Sequence, residues 1–211
     1  MYVQPSFGEA DPEKLLALAA RHPFATVITP GPDELWVSHV PLLVRRRGGA
    51  VVLAGHLARA NAHWQAMEGG TGARTTAVFH GPHAYISPTW YATSPAVPTW
   101  NYVVVHAVGQ TRVHHDGKEL GELLRELTEQ YEGRQAGAWS PDRLPSDYAQ
   151  SMRGAIVGFE IAVDRLEGKI KLSQNRSAED RRGVVAALEA QMSEDSRAVA
   201  ALMRETGPIE S

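Results

Sequence analysis

Apolar and polar residues alternate along much of the first 115 positions, and this period of two is typical of β-strands. Strands are predicted for FATVIT at 24–29, ELWVSHVPLLVRR at 34–46, AVVLAGHL at 50–57, RTTAVFH at 74–80, HAYIS at 83–87 and WNYVVVHAVGQTRVHH at 100–115. Gly48-Gly49 has the composition of a hairpin turn, and Gly81-Pro82 that of a break between two strands. The pattern predicts a mainly β protein.

A helical period marks the flanks of this β-rich block. Helices are predicted at 10–23, 58–67 and 118–132, then after Ser177 and after Ser193. Asp11 and Pro12 suit the N-cap and first position of the first helix, and Ser177 opens a capping box. A strand or pair of strands is predicted over 154–172. We expect one domain over 1–211, a barrel with helices packed outside it and a helical C-terminal extension at about 177–207.

Composition narrows the classes of function. The chain has 211 residues, no cysteine and a formal net charge of −3. The lack of cysteine excludes thiol nucleophiles and disulfides, and it fits a reducing cytoplasm. No secretory signal is readable, and no apolar run reaches the roughly 18 residues of a membrane span. The negative charge disfavours DNA binding by surface charge alone. We therefore expect a cytoplasmic protein with no membrane partner and no direct hold on nucleic acid.

The chain offers little sign of a metal site or of catalytic residues. Its nine histidines form no helical His-x-x-x-His arrangement, so we expect no metal. No nucleophile elbow and no Gly-x-Gly-x-x-Gly turn is present, which disfavours a Ser-His-Asp triad and a dinucleotide-binding unit. We predict no catalytic residue and leave open whether the protein is an enzyme.

Two polar segments are candidate anion sites. GHLARANAHW, at 55–64, passes from a strand to a short helix whose free N–H groups and Arg59 would suit a phosphate. The alternative is a solvated Arg59 with Asn61 as a helix cap. KLSQNRS, at 171–177, carries two cations around three short polar side chains and suits an anion or a polar ring edge. A solvated loop is the alternative there, and the residues alone do not decide either case.

Six segments in chain order resemble the PaiB-type, FMN-binding negative transcriptional regulator family. They are MYVQPSF, HVPLLV, GHLARANAHW, VFHGPHAYISPTWY, VPTWNYVVVHAVG and KLSQNRSAEDRRGV, and they span Met1 to about Val184. The resemblance implies an FMN-binding split β-barrel of the pyridoxamine-phosphate-oxidase type. It also implies a homodimer with the cofactor at the subunit interface.

The resemblance also implies which residues contact FMN. Carried over by position, they are His39, His56, Leu57, Ala58, Arg59 and Asn61, then Trp100, Asn101 and Tyr102, then Lys171, Gln174, Asn175 and Arg176. The first group would hold the phosphate and the second would lie beside the flavin ring. The family pattern has proline after Asn61 where this chain has Ala62, a change that loosens the helix start but removes no ligand.

Four functions follow as hypotheses. The first is an FMN-binding regulator, whose signal and target genes the sequence leaves open. The second is a flavin-dependent oxidoreductase acting on a small substrate, with His56, His83 and His106 as the visible general acids. The third is a haem-binding or haem-degrading split barrel. The fourth, direct DNA binding, is disfavoured by the net charge.

Overall fold

The structure is a computed structural model of the chain, and it describes residues 1–69, 74–115, 117–133 and 139–207. The strands are β1 (Gly8–Glu9), β2 (Phe24–Pro30), β3 (Leu35–Pro41), β4 (Leu43–Arg47), β5 (Ala50–Ala58), β6 (Arg74–Ile86), β7 (Thr99–His114) and β8 (Ile156–Lys171). The helices are α1 (Pro12–Arg21), α2 (His63–Gly69), α3 (Gly117–Glu132), α4 (Ser146–Gly154), α5 (Ala178–Glu189) and α6 (Glu194–Glu205).

The strands form one sheet in the order β3-β2-β6-β7-β8-β5-β4, and β1 pairs with β8. The pairs β2–β3, β4–β5 and β5–β8 are antiparallel, with Phe24 opposite Pro41 and Val51 opposite Val163. Helices flank this sheet, so the predicted mainly β class is confirmed. None of the helices in the described ranges is long and apolar enough to span a membrane.

Residue contacts divide the chain into two compact units. The first unit comprises Met1–Ala19, Phe79–His106 and the chain from Glu167 onwards. The second unit comprises Ala20–Val78 and Ala107–Leu166. The three longest strands, β6, β7 and β8, contribute residues to both.

The core of the first unit joins the ends of β6 and β8 to the two C-terminal helices. Its buried side chains are Ala84, Ile86, Leu172, Val184, Val185, Leu188, Val199, Ala200 and Met203. The predicted cap of α5 is confirmed, because the Ser177 hydroxyl accepts a hydrogen bond from the Asp180 amide at 3.1 Å. Both α5 and α6 are amphipathic helices, and their apolar sides cover the ends of β6 and β8.

In the second unit, one face of α3 packs on the sheet. Leu120, Leu123 and Leu127 of α3 pack with Leu43 of β4 and Ala54 of β5. These leucines have the helical spacing that predicted α3 from sequence. The apolar stripe anchors α3 over the strands that carry the charged cluster described below.

The predicted strand at 34–46 is wrong as a single element. It divides at Leu42 into β3 and β4, which lie at opposite edges of the sheet. The Leu42 amide donates to the Pro23 carbonyl at 2.9 Å, and the Leu42 side chain is fully buried. A Cβ added at Gly55 would lie 2.7 Å from Leu42 Cδ2. The chain therefore passes from β3 to β4 at a point where the glycine of β5 leaves room for the Leu42 side chain.

The predicted break at Gly81-Pro82 is also wrong, because β6 runs unbroken through both residues. A Cβ added at Gly81 would lie 2.9 Å from Val103 Cβ on β7. The glycine therefore serves close packing of two strands rather than a turn. In addition, α4 was not predicted, since none of its side chains is buried and it carries no apolar stripe.

Candidate functional site

An exposed aromatic surface covers the outward side of β6 and β7 in the first unit. It consists of His83 and Tyr85 on β6 and Trp100 and Tyr102 on β7, and we call these four residues the aromatic face. Trp100 is 50% exposed and Tyr85 is 45% exposed. The Trp100 ring lies 6.1 Å from the His83 ring and 6.1 Å from the Tyr85 ring, centre to centre. Contiguous aromatic groups left open to solvent mark a binding surface.

An open cavity of about 470 Å³ adjoins the aromatic face. It is lined by His80, Gly81, His83, Trp100, Tyr102, Val103 and Val104. Its volume falls within the range of pockets that hold cofactors and other small molecules. The lining provides flat apolar surface with few polar groups, which suits a planar ring.

Two lysines of β8, Lys169 and Lys171, lie on the same side of their strand because side chains alternate along it. The Lys169 ammonium lies 5.4 Å from the centre of the Tyr102 ring and 5.7 Å from that of Tyr2, and donates to the Tyr2 carbonyl at 3.4 Å. The Lys171 ammonium donates to the Thr99 hydroxyl. In the part of the chain that the structure describes, neither lysine forms an ion pair with a carboxylate.

This lysine pair carries positive charge that its own surroundings do not neutralise. Burial, and then the charge of Lys169, lower the pKa of Lys171 below its ordinary value of 10.5. The protonated form of Lys171 is therefore destabilised, and an anion beside it would stabilise that form. Lysine serves as a point charge for phosphate groups. The lysine pair, with the Thr99 hydroxyl, has the chemistry of a phosphate site.

The turn after Lys171 uses most of its polar side chains internally. Gln174 Oε1 accepts from the Leu172 amide at 2.7 Å, and its Nε2 donates to the Ile170 carbonyl. The Arg176 guanidinium lies 4.2 Å from the centre of the Tyr91 ring. Asn175 is exposed. Within the segment predicted to bind the cofactor, Gln174 and Arg176 are thus engaged by their own unit.

Arg176 is also linked to the loop before β7 through Asp180. Its Nη1 lies 3.9 Å from Asp180 Oδ2, and Asp180 accepts from the amide and hydroxyl of Thr93 at 2.9 and 2.7 Å. Burial opposes the charge of Asp180, but the hydrogen bonds from Thr93 and the charge of Arg176 lower its pKa. These contacts tie α5 to the loop that carries Tyr91.

Asn101 is fully buried, between Trp100 and Tyr102 of β7. Its Nδ2 donates to the Ser173 hydroxyl at 3.0 Å, and that hydroxyl donates to Asn101 Oδ1 at 3.2 Å. The side chain therefore faces the interior of its own unit, opposite to Trp100 and Tyr102. Its predicted contact with FMN stays a prediction, and we do not include Asn101 in the site proposed below.

The remaining predicted residues belong to the second unit. The Arg59 side chain donates at 2.8 Å to the carbonyl of Gly154, the last residue of α4, and at 3.0 Å to that of Ile156, the first residue of β8. Asn61 donates to Ser38 Oγ at 3.1 Å and caps α2 through a bond from the His63 amide at 3.1 Å. Arg59 and Asn61 thus have structural partners.

His56, Leu57, Ala58 and His39 have different surroundings. Leu57 is buried and Ala58 is exposed. Burial lowers the pKa of His56, and its Nδ1 is a buried atom without a hydrogen-bond partner among the described residues. His39 is exposed, bonds to Thr26 Oγ1 at 3.1 Å and stacks on Phe24. A role for these residues in cofactor binding stays a prediction.

A second charged cluster, in the second unit, is centred on the buried Glu160 carboxylate. Arg47 contacts it at 2.9 and 3.0 Å and Arg45 at 3.3 Å, while Arg112 and His114 lie at 3.4 Å. Burial alone would raise the pKa of Glu160, but the hydrogen bonds from Arg47 and Arg112 and the charges of Arg47 and His114 lower it. We call these five residues the Glu160 cluster, and each charge in it has an opposite partner.

Sequence reasoning identified Trp100, Tyr102 and Lys171 but missed Lys169, Thr99 and the contribution of His83 to the face. Lys169 lies on β8 with Lys171. Its position two residues before Lys171 on a strand was the signal that could have paired them. Thr99 gives no signal in a single sequence, since its partner is distant along the chain.

Comparisons with known proteins give a matching family, a curated relative and solved structures of similar fold. The family model described as "Putative FMN-binding domain" matches residues 1–165. "Protease synthase and sporulation protein PAI 2" of Bacillus subtilis (strain 168) is 31% identical over 205 residues, which cover 97% of each chain. The flavocytochrome Anf3 of Azotobacter vinelandii has a similar fold, with a TM-score of 0.60 and 16% identity over 81% of this chain and 72% of that one.

A second solved structure is also similar in fold, the FAD and heme binding protein from Mycobacterium smegmatis. Its TM-score is 0.57, with 18% identity over 85% of this chain and 79% of that one. The fold defines an antiparallel β protein with flanking helices, and its candidate site combines exposed aromatic rings with two lysines that have no carboxylate partner among the described residues. More specifically, the chain belongs to the PaiB-type family of FMN-binding proteins.

The residues of the first unit fit the cofactor of this family, FMN. FMN joins a flat aromatic ring to a phosphate dianion. The lysine pair has uncompensated charge that a dianion would neutralise, and Trp100 presents an exposed ring surface. This agreement rests on the donor chemistry of side chains that the structure describes.

Proposed function

We propose that the protein is a homodimeric FMN-binding split barrel that regulates gene expression in response to a redox or flavin signal. The flavin ring would lie on the aromatic face, and the phosphate would contact Lys169, Lys171 and the Thr99 hydroxyl. The observation that carries the proposal is the lysine pair, half-buried without a carboxylate, in the same unit as an exposed aromatic cavity.

Each residue of the proposed site has a separate role. Trp100 and Tyr102 would shield one side of the ring from water, and His83 would lie at its edge. The lysine pair would supply charge-assisted bonds to the phosphate. Bound FMN supplies one- and two-electron redox chemistry, while the protein binds and orients it. No side chain of the chain is assigned a catalytic step.

The exposed aromatic face supports the homodimer. Single exposed apolar side chains are ordinary, but Trp100 and Tyr85 lie in contact and each is close to half exposed. A second copy of the chain would remove this surface from water. Sedimentation velocity at micromolar concentration should therefore give a dimer, and a monomer would remove the interface from the proposal.

The regulatory part of the proposal follows from the relative named for sporulation and protease synthesis. The net charge of −3 disfavours direct DNA contact, so we propose regulation through another macromolecule or through cofactor availability. Expression profiling of a deletion strain tests this part. An unchanged profile in both flavin-replete and flavin-depleted cells would contradict it.

Haem binding is the second candidate, because two histidines, His80 and His83, line the cavity. A solved structure of similar fold is described as binding FAD and heme. Titration with haemin distinguishes the candidates, since haem ligated by histidine gives a Soret band that shifts on binding. We expect no shift of the Soret band when haemin is added at a concentration at which FMN, added in a separate titration, is bound.

Flavin titration tests the site directly. The variant Lys169→Gln/Lys171→Gln should lose about 50-fold in FMN affinity, because charge-assisted bonds contribute about 1.5–3 kcal/mol each and these are partly exposed. Riboflavin, which lacks the phosphate, should bind wild type and variant equally. Unchanged FMN affinity would contradict the site. Oxidation of NADPH by the flavin-loaded wild type would favour the oxidoreductase alternative.

A further inference from the structure

We propose that Asn101 is a positioning residue that sets where the lysine pair holds a phosphate, and so determines the preference for FMN over riboflavin. The inference rests on the proposed function, since it assumes the lysine pair as the phosphate site. Asn101 would contact neither the ring nor the phosphate. It would act through the turn that follows Lys171.

The first observation is the contact between Asn101 and Ser173. Each side chain both donates to and accepts from the other, at 3.0 and 3.2 Å, and both residues are almost fully buried. Asn101 Nδ2 also lies 3.4 Å from Met203 Sδ on α6. A buried amide with these partners is costly to disturb, because any replacement leaves a polar group unpaired.

The second observation is the backbone of Ser173. Its φ is 61°, in the left-handed region, and it is the sole residue other than glycine with a positive φ among the described residues. Such a conformation costs on the order of 1 kcal/mol for a residue with a side chain, and it persists where surrounding contacts hold it. The reciprocal bonds from Asn101 are those contacts.

The third observation is the way the turn encloses Lys171. Gln174 bonds to the Ile170 carbonyl and the Leu172 amide, the groups on either side of Lys171. The Leu172 side chain is fully buried. The backbone on both sides of Lys171 is thus held by Gln174, and the turn that follows is held by the bonds between Ser173 and Asn101.

These contacts connect the two halves of the proposed site through one strand. β7 carries Trp100 and Tyr102 outward, Asn101 inward to the turn, and Thr99 to the Lys171 ammonium. One strand therefore sets the distance between the ring surface and the charges. The affinity of a ligand that has both a ring and a phosphate depends on that distance, whereas the affinity of a ligand with the ring alone does not.

The test is the ratio of the dissociation constants of riboflavin and FMN, measured by flavin fluorescence on purified protein. Asn101→Ala should lower this ratio about tenfold, the effect of about one hydrogen bond, with riboflavin affinity unchanged within about twofold. Ser173→Gly is the matched variant. It removes the same bonds but adopts a positive φ without strain, so its ratio should fall less, by about threefold.

Equal losses of FMN and riboflavin affinity in Asn101→Ala, or no loss of either, would overturn the inference and leave Asn101 as a residue of the core. Ser173→Ala gives the same readout if Asn101→Ala does not fold, since it removes the bonds and keeps the strained backbone. The lysine variant separates the two proposals. If it leaves the ratio unchanged, the phosphate site itself is wrong; if it lowers the ratio and Asn101→Ala does not, the positioning role alone is wrong.

Discussion

The Glu160 cluster and the lysine pair place positive charge on β-strands in opposite ways. In the Glu160 cluster, three arginines and a histidine surround one buried carboxylate, and further carboxylates approach from α3. The lysine pair has aromatic rings, a carbonyl and a hydroxyl around it, and no carboxylate among the described residues. The charges of the Glu160 cluster are paired with one another within the chain. The positive charge of the lysine pair is not neutralised by any carboxylate of the described residues.

Arg59 extends the comparison to the segment that sequence reasoning favoured as a phosphate site. An arginine at a strand-to-helix junction has the composition of an anion site. Its donors nevertheless bond to the Gly154 carbonyl at the end of α4 and to the Ile156 carbonyl at the start of β8. A cation that already donates to two backbone carbonyls is less available to a phosphate than one whose neighbours are aromatic rings. The composition of a segment thus did not reveal whether its charge was already used.

The largest expected effect comes from removing the centre of the complete cluster. Glu160→Gln leaves Arg45, Arg47 and Arg112 without their shared carboxylate. Breaking a buried ion pair costs about 3–5 kcal/mol, and we expect about 3 here because Arg47 and Arg112 are more than half exposed. Urea unfolding measures the change in free energy.

Glu122→Gln is the matched control for that change, since Glu122 lies on α3 and lines the small cavity beside Glu160. It should alter the free energy of unfolding by less than about 0.5 kcal/mol. FMN affinity should not change in either variant. A loss below about 1 kcal/mol in Glu160→Gln would mean that the cluster is not the complete ion-pair network described above.

A smaller effect concerns a buried histidine of the second unit. His63 Nδ1 bonds to Ser38 Oγ at 2.8 Å and Nε2 to Thr29 Oγ1 at 2.9 Å, and burial lowers its pKa from 6.5 to about 4. The unfolded chain therefore binds the proton first as pH falls. The stability that neutral His63 contributes is present above pH 6.5 and is lost between 6.5 and about 4.

Unfolding free energies of wild type and His63→Gln, measured across this pH range, check that sign. Between about pH 7 and pH 5 the wild type should lose about 2 kcal/mol more than the variant, because one pKa unit corresponds to about 1.4 kcal/mol. Parallel profiles would show that folding does not lower the pKa of His63. They would also mean that neutral His63 does not form both of its hydrogen bonds, to Ser38 and to Thr29.

The smallest expected effect comes from Arg59→Gln. It removes two bonds to backbone carbonyls at an exposed position, so stability should fall by about 1 kcal/mol. FMN affinity should stay within about twofold of wild type, as measured by flavin fluorescence. A tenfold loss of FMN affinity with unchanged riboflavin affinity would instead favour the junction at 55–61 as the phosphate site.

Much of the fold could be predicted from local pattern. Apolar alternation and helical spacing identified β2, β5 and α3, and Asp11 and Ser177 identified two helix starts. The failures had tertiary causes. The strand at 34–46 divides because Leu42 is buried against Gly55, and β6 continues through Gly81 because Val103 needs the space. Neither neighbour is visible in the sequence around the break.

The candidate site was predicted in part for a similar reason. The resemblance to the PaiB-type family led to Trp100 and Lys171. The direction of Asn101 was not visible, since its partner Ser173 lies 72 positions further along. Whether a cation has a carboxylate partner is likewise a property of the folded chain, as Arg47 with Glu160 and Lys171 without one demonstrate.

The most direct test of the uncompensated charge is the pKa of Lys171 itself, followed by the NMR shift of its Cε carbon with and without FMN. The account predicts a pKa below 10.5 in the free protein, because burial and Lys169 oppose the charge. It predicts a rise when FMN binds and no change with riboflavin, since the phosphate would supply the missing anion. A pKa that stays the same with FMN bound would contradict the proposed phosphate site.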